Sequence, residues 1–95
     1  MIEYLYNAIR ATAAEDITIA AKITDEYGQT IENDCHLNLY DDEGIITTVN
    51  GTLEAGMWEF TIPAEATTNL RGRYWYCLCD DKHTKLNFKQ PIYLV

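Results

Sequence analysis

The chain has 95 residues, of which 47% are hydrophobic and 12% aromatic, and its formal net charge is −8. This composition is that of one folded domain over residues 1–95 and argues against a disordered chain. Because the acidic sequence has no basic stripe to meet phosphates, it speaks against nucleic acid and anionic membranes as partners.

Apolar and polar residues alternate with a period of two along most of the chain, which indicates strands rather than helices. Strands are predicted at residues 17–23, 35–40, 57–62, 73–79 and 84–95, with weaker ones at 4–10 and 45–49. In the last strand, Phe88 is expected to face the core. Pro91 predicts that this strand lies at an edge or is broken there, because proline cannot donate a ladder hydrogen bond.

Turn sequences separate the predicted strands at roughly ten-residue spacing. The strongest hairpin signal is Asn50-Gly51, and a short helical turn is predicted after Pro63, at residues 64–69. Residues 11–16 could also be helical. About seven short strands with such turns are typical of an all-β, antiparallel immunoglobulin-like β-sandwich.

The strand at residues 73–79 has an unexpected outer face. If Tyr74, Tyr76 and Leu78 point into the core, the opposite face is apolar where a solvated sandwich would be polar. An aromatic face with few charges is typical of the centre of a protein interface. The residues predicted to form this interface are Trp75, Cys77 and Cys79, with Tyr40 and Tyr93 from neighbouring strands.

Two other interpretations of this face remain open. The short helical turn or the N-terminal segment could cover it. Alternatively, Trp75 could take the core position, and a register shift of one residue would then exchange the two faces of the strand.

The sequence Leu70-Arg71-Gly72-Arg73-Tyr74 at the start of this strand resembles the tyrosine corner of immunoglobulin-like sandwiches. In that motif the tyrosine hydroxyl bonds to backbone just upstream. Tyr74 is the candidate and Tyr76 the second choice, and the alternative is a tyrosine that only packs in the strand.

The cysteines and histidines do not form a recognisable catalytic or metal site. Cys35, Cys77 and Cys79 are too few for an even disulfide set and lack the paired knuckles of structural zinc sites, so we expect free buried thiols in a reducing compartment. His36 and His83 have no nucleophile elbow near a cysteine. We therefore expect no enzyme activity, no bound metal and no cofactor.

Acidic residues gather in two loops that would meet at one end of a sandwich. They are Asp25, Glu26 and Asp34 in one loop, and Asp80 and Asp81 in the other. Clustered carboxylates could bind a hard cation there. The alternative is ordinary turn chemistry, in which aspartate accepts hydrogen bonds from backbone N–H groups.

Several motifs in order resemble the immunoglobulin-like domains of bacteriophage and prophage structural proteins, most closely the N-terminal domains of tail baseplate proteins from phages of Gram-positive bacteria. The motifs are Asp-x-x-Gly at residues 25–28, YDDEG at 40–44, WEFTIP at 58–63, LRGRYWY at 70–76 and PIYL at 91–94. The resemblance covers residues 16–95.

The resemblance implies a structural or attachment module without catalysis, whose partners are further copies of itself or other virion proteins. No signal peptide follows Met1, so we expect synthesis in the cytoplasm and then incorporation into a virion. The alternative function is a carbohydrate- or cation-binding module that uses the loops at one end of the sandwich.

Overall fold

A computed structural model of the chain describes residues 2–5, 8–87 and 89–95. Phe88, which the alternation assigned to the core, lies outside the described residues. The strands are β1 (Ile2–Leu5), β2 (Ala8–Ala11), β3 (Ile17–Ala21), β4 (Cys35–Tyr40), β5 (Ile45–Asn50), β6 (Thr52–Glu54), β7 (Met57–Ile62), β8 (Gly72–Asp80) and β9 (Gln90–Leu94), and the helix α1 is Ala64–Thr67.

The strands form two sheets. The large sheet has the order β1-β2-β9-β8-β4-β5, and the small sheet has the order β3-β7-β6. The small sheet is antiparallel, but β2 pairs with β9 in parallel, so the large sheet is mixed. The prediction of an antiparallel fold is therefore wrong at this one pair, and the all-β prediction is confirmed.

The two sheets share one hydrophobic core, which gives the molecule a sandwich-like, all-β character. The period-two alternation places every second side chain of the strands inside. Buried side chains from both sheets meet there, including Ile17, Ile19, Leu37, Leu39, Trp58, Phe60, Ile62, Ile92 and Leu94. The indole N–H of Trp58 donates to the Ile31 carbonyl at 2.8 Å, so its one polar group is satisfied.

Asn50-Gly51 is not a hairpin turn, and that prediction is wrong. It joins β5 in the large sheet to β6 in the small sheet. Gly51 is required because of a close approach: a Cβ there would lie 2.5 Å from Cε1 of Phe60 and 2.9 Å from Cε3 of Trp58. The backbone thus passes directly against the rings of Trp58 and Phe60 where the chain crosses from the large sheet to the small sheet.

The hairpin of the small sheet lies instead at Ala55 and Gly56, between β6 and β7. Glu54 pairs with Met57, which leaves a two-residue loop. Both loop residues have positive φ, 51° for Ala55 and 80° for Gly56. These angles are those of a type I′ turn, whose twist matches that of the flanking strands.

Pro91 lies in β9, which is an internal strand between β2 and β8. The edge-strand prediction is therefore wrong, whereas the predicted break is confirmed on one side. Pro91 pairs with Trp75 of β8, but the pairing of β9 with β2 covers only residues 92–94. The Val95 N–H donates to Ala11 of β2, so by alternation the nitrogen of Pro91 also faces the β2 side, where no described residue pairs with Pro91.

The helical turn predicted after Pro63 is confirmed as α1, which is shorter than expected. Its first N–H, that of Ala64, donates to Oδ1 of Asp16 at 2.9 Å. The helix that residues 11–16 could have formed is absent: Ala11 ends β2 and residues 12–16 form a turn, in which the Ala14 N–H donates to Oγ1 of the buried Thr67 at 2.9 Å. The turn before β3 and the helix thus hold each other in place. No helix among the described residues has the length and apolarity needed to cross a membrane.

Candidate functional site

The outer face of the large sheet is the surface turned away from the shared core. Along β8, Tyr74, Tyr76 and Leu78 pack against that core. Trp75 packs on the opposite side with Tyr40, Cys77 and Cys79, as a separate hydrophobic cluster. The predicted register of this strand is confirmed, and the alternative that puts Trp75 in the core is wrong.

Strand pairing brings the predicted interface residues together. Tyr40 of β4 is the cross-strand partner of Trp75. On the other side of β8, Tyr93 of β9 pairs with Arg73, which is two residues before Trp75 and therefore on the same face. Trp75 is half-buried and Tyr93 is 37% exposed, so an aromatic surface remains accessible at this end of the face.

Cys77 and Cys79 lie on the same face but are fully buried, with 0% and 2% exposure. Asn87, in the connection between β8 and β9, covers Cys77: its carbonyl oxygen and Oδ1 are 3.3 and 3.4 Å from the thiol sulfur. The same Oδ1 accepts the Leu78 N–H at 2.8 Å. The covering contact thus comes from this connection, and both thiols lie beneath the surface of the outer face.

The buried side-chain amide of Asn38 connects several residues in the middle of the outer face by hydrogen bonds. The side chain of Asn38 donates to the Tyr40 hydroxyl at 3.3 Å and approaches the Cys79 sulfur at 3.7 Å. Its Oδ1 accepts a hydrogen bond from the Thr48 hydroxyl at 2.6 Å. A satisfied buried network of this kind fixes the rotamers of its members, so this part of the face is rigid.

Basic side chains lie on the aromatic residues. The Arg73 guanidinium is 5.2 Å from the ring centre of Trp75, and the Lys89 ammonium is 4.3 Å from that of Tyr40. Both distances are in the range of cation–π interactions. Four of the seven Lys and Arg residues stand on or beside this face, namely Arg10, Arg73, Lys85 and Lys89. In a chain of net charge −8, positive charge thus lies directly against two of the aromatic rings.

The surroundings of Cys35 and Cys79 disfavour the thiolate, which is the form that reacts and binds metals. Burial, with smaller effects from Cys77 and Asp80, raises the pKa of Cys79 to about 11. Burial also raises the pKa of Cys35, and Asp80, Asp81 and Asp34 add to the effect. Because the thiolate is the reactive form, these environments keep both groups neutral at physiological pH.

The two histidines lie side by side at one end of the outer face. Their ring centres are 5.2 Å apart with an interplanar angle of 66°, and His36 is the cross-strand partner of the buried Cys79. Four surface cavities formed by the described residues have no histidine in their lining. The described side chains also form no group of three or more His, Cys, Asp or Glu residues able to hold a metal.

The two acidic loops do meet, as predicted, at one end of the molecule. Asp25 and Asp80 line one cavity of about 390 Å³, whereas Asp34 lines another beside Cys35. Glu26 and Asp81 are exposed to solvent. The structure thus brings together one aspartate from each loop rather than all five acidic residues.

Turn chemistry accounts for both aspartates of this cavity. Oδ1 of Asp25 accepts the N–H groups of residues 27 and 29, and Oδ1 of Asp80 accepts those of residues 82 and 84, all at 2.9 Å. The two turns have the same pattern of backbone hydrogen bonds, each within its own turn. Their fourth residues, Gly28 and His83, both have positive φ. The interpretation as capped turns explains these carboxylates without a cation.

Tyr74, the candidate for the tyrosine corner, is half-buried and packs against the shared core. The backward hydrogen bond of its hydroxyl stays a prediction. Sequence reasoning missed Asn38, Asn87 and Lys89, which position or cover the aromatic cluster. Asn38 alone had a usable signal, because it is an uncharged amide at an outward position between His36 and Tyr40 of one strand.

Comparisons of the chain with models of known protein families and with curated proteins returned no match.

Proposed function

We propose that the chain is a non-enzymatic structural or assembly module of a phage or prophage particle, and that it works through protein–protein contacts of the outer face. The observation that carries this proposal is the accessible Trp75 and Tyr93, with Arg73 on the strand of Trp75 and opposite Tyr93, on a sheet face that would ordinarily be polar. Tryptophan, tyrosine and arginine are the residues enriched at the energetic centre of interfaces.

The rigidity of the face supports a binding role. Arg73 is stacked on Trp75, Lys89 on Tyr40, and Asn38 ties Tyr40 to the sheet. Side chains that are already ordered lose little entropy on binding, so more of the contact energy becomes affinity. Because the rings already carry cations of their own chain, the face suits carboxylates of a protein partner better than stacked bases.

The arrangement of the strands supports the finer fold proposal, an immunoglobulin-like sandwich. In such domains strands B, E and D form one sheet, while C, F and G, with C′ in the variable type, form the other. On this proposal β3, β7 and β6 correspond to B, E and D, and β4, β8, β9 and β5 correspond to C, F, G and C′.

The assignment to a phage particle draws its support from the motifs that resemble phage and prophage structural domains. Three of these motifs have structural roles. Residues 40–44 form the turn between β4 and β5, where Oδ1 of Asp41 accepts the N–H groups of Glu43 and Gly44. Residues 58–63 supply the inward side of β7, and residues 70–76 lead into the strand that carries Trp75.

Particle incorporation tests the proposal. Prophages are induced in the strain that carries the gene, particles are purified on a density gradient, and the chain is detected by immunoblot. We expect the chain to sediment with the particles, and Trp75→Glu to reduce its incorporation at least tenfold because a carboxylate would stand at the interface centre.

The matched control is Thr18→Glu, which adds the same charge at an exposed position of the small sheet, opposite the uncharged Thr61. It should incorporate like the unchanged chain, and circular dichroism should show that both variants are folded. Absence of the chain from the particles would contradict the proposal that it belongs to a phage or prophage particle. Equal incorporation of Trp75→Glu would contradict the proposed face.

A further inference from the structure

Strand β5 is an open edge of the large sheet, and apart from a β-bulge at Ile46 it lacks the features that protect such edges. Among the described strands it pairs with β4 alone. Its six residues include no charge and no proline, and five of them are β-branched: Ile45, Ile46, Thr47, Thr48 and Val49. Soluble proteins usually blunt an edge of this length with charges or proline, because it can pair with another strand.

The directions of the backbone groups follow from the register. The Gly51 N–H donates to the Cys35 carbonyl at 2.8 Å, so these two residues form a hydrogen-bonded pair. Such pairs alternate along an antiparallel ladder. Hence Val49 is hydrogen-bonded to Leu37 across the ladder, and the N–H and C=O groups of Thr48 and Asn50 point away from β4.

The other sheet edges are less open. Strand β6 has only three residues and includes Glu54, and β1 has only four residues. The residues of β3 lie across a cavity of about 370 Å³ from Leu86 and Asn87, which belong to the connection between β8 and β9. This connection stands on the side from which another chain would approach β3. Strand β5 is therefore the edge best suited to accept an additional strand.

We propose that β5 pairs antiparallel with β5 of a second copy of this chain, around a twofold axis at Thr48. Thr48 then exchanges its outward backbone hydrogen bonds with Thr48 of the second copy, and Asn50 lies opposite Ile46. Main-chain hydrogen bonds of this kind are the basis of strand addition between proteins.

The charges favour a second copy in this orientation. Two chains of net charge −8 repel each other, but the β5 edge is uncharged. The acidic turn at residues 41–43 precedes β5, and the uncharged Asn50 and Gly51 end it. Antiparallel pairing places the acidic turn of each copy beside Asn50 and Gly51 of the other, so the two acidic turns lie at opposite ends of the paired strands. Asp34, which lines a cavity with Asn50 and Gly51, adds one negative charge at each of these ends.

The pairing joins two large sheets into one and sets two outer faces side by side. Ile45, which is 57% exposed and opposite Tyr40, extends the aromatic surface toward the twofold axis. Edge pairing alone buries little area, so we expect a weak dimer whose population depends on concentration. Bivalent binding by the paired faces would follow, but the pairing itself does not depend on the proposed function.

Sedimentation velocity and amide hydrogen exchange test the pairing with the purified chain. Sedimentation velocity across the accessible concentration range should show a monomer–dimer equilibrium. In NMR hydrogen exchange, the Thr48 and Asn50 amides should become at least tenfold more protected as the dimer forms. In a monomer these outward amides would exchange quickly beside the slow amide of Val49.

Two substitutions of Thr48 distinguish the contribution of its backbone N–H to dimerisation from that of its side chain. Thr48→Pro removes the outward N–H, and proline is tolerated at such an edge position, so the dissociation constant should rise at least tenfold. Thr48→Val loses the same side-chain hydrogen bond to Asn38 but keeps the N–H, and it should dimerise like the unchanged chain.

A chain that stays monomeric throughout would overturn the pairing and leave the proposed function standing. A dimer whose Thr48 and Asn50 amides still exchange quickly would also overturn it, because the contact would then lie elsewhere. Since exchange is measured on the unchanged chain, the test holds even if Thr48→Pro does not fold.

Discussion

Cys79 illustrates how its surroundings determine the chemistry of a single residue. Its pKa is raised to about 11 in the folded state, chiefly because burial disfavours the thiolate. In the unfolded chain it returns toward the ordinary value of 9.0. The neutral thiol therefore contributes stability that is fully present below about pH 9 and is lost as pH rises toward about 11.

Urea unfolding between pH 8 and pH 11 measures this contribution. We expect the free energy of unfolding to fall with pH more steeply in the unchanged chain than in Cys79→Ala, because the alanine variant has no thiol to ionise when it unfolds. Comparing the two slopes removes the common titration of lysines and tyrosines. Equal slopes would show that Cys79 ionises as readily in the folded protein as in the unfolded one.

Period-two alternation was sufficient to place Trp75 and both thiols on the outer face, because the register of a strand fixes which way each side chain points. It could not predict that Cys77 is inaccessible. The cover comes from Asn87 in an irregular connection, and irregular backbone has no periodicity from which contacts can be derived. The sequence thus predicted the face correctly but assigned it two residues that a partner cannot reach.

At the scale of elements, the β6–β7 turn contains a residue poorly suited to its conformation. Ala55 has φ of 51°, a region that non-glycine residues rarely occupy and that asparagine tolerates better. We expect Ala55→Asn to raise the free energy of unfolding by about 0.5–1 kcal/mol. Thermal unfolding should show a higher midpoint.

The matched variant is Ala55→Val, which puts a β-branched side chain at the same positive φ and should lower the midpoint. Both side chains are exposed in the turn, so differences in core packing do not enter the comparison. If valine were as stable as asparagine, the type I′ conformation of this turn would be wrong.

The same region shows why turn signals alone misplace elements. Asn50-Gly51 is the stronger hairpin signal by composition, yet the hairpin forms at Ala55-Gly56. Turn propensity is local, whereas the sheet that a strand joins is decided by long-range packing. Trp58 and Phe60 occupy the space beside Gly51, and the chain crosses there between the two sheets.

At the scale of the whole molecule, charge is unevenly distributed. The chain has 15 acidic and 7 basic residues, yet four of the basic ones stand on or beside the outer face. The acidic residues lie largely in loops at both ends. Such separation orients an approaching partner, and complementary potentials raise its association rate. An acidic partner surface would therefore meet the aromatic face first.

Hydroxyl-radical footprinting of the chain, free and within purified particles, tests this account most directly, because aromatic side chains are oxidised in proportion to their exposure. Trp75 and Tyr93 report on the outer face. Tyr27, which is 81% exposed in the turn capped by Asp25, reports on the acidic loop end. We expect oxidation of Trp75 and Tyr93 to fall severalfold in the particle while that of Tyr27 is unchanged. The account would be contradicted if Tyr27 were protected in the particle while Trp75 and Tyr93 were oxidised as in the free chain. That result would assign binding to the loops.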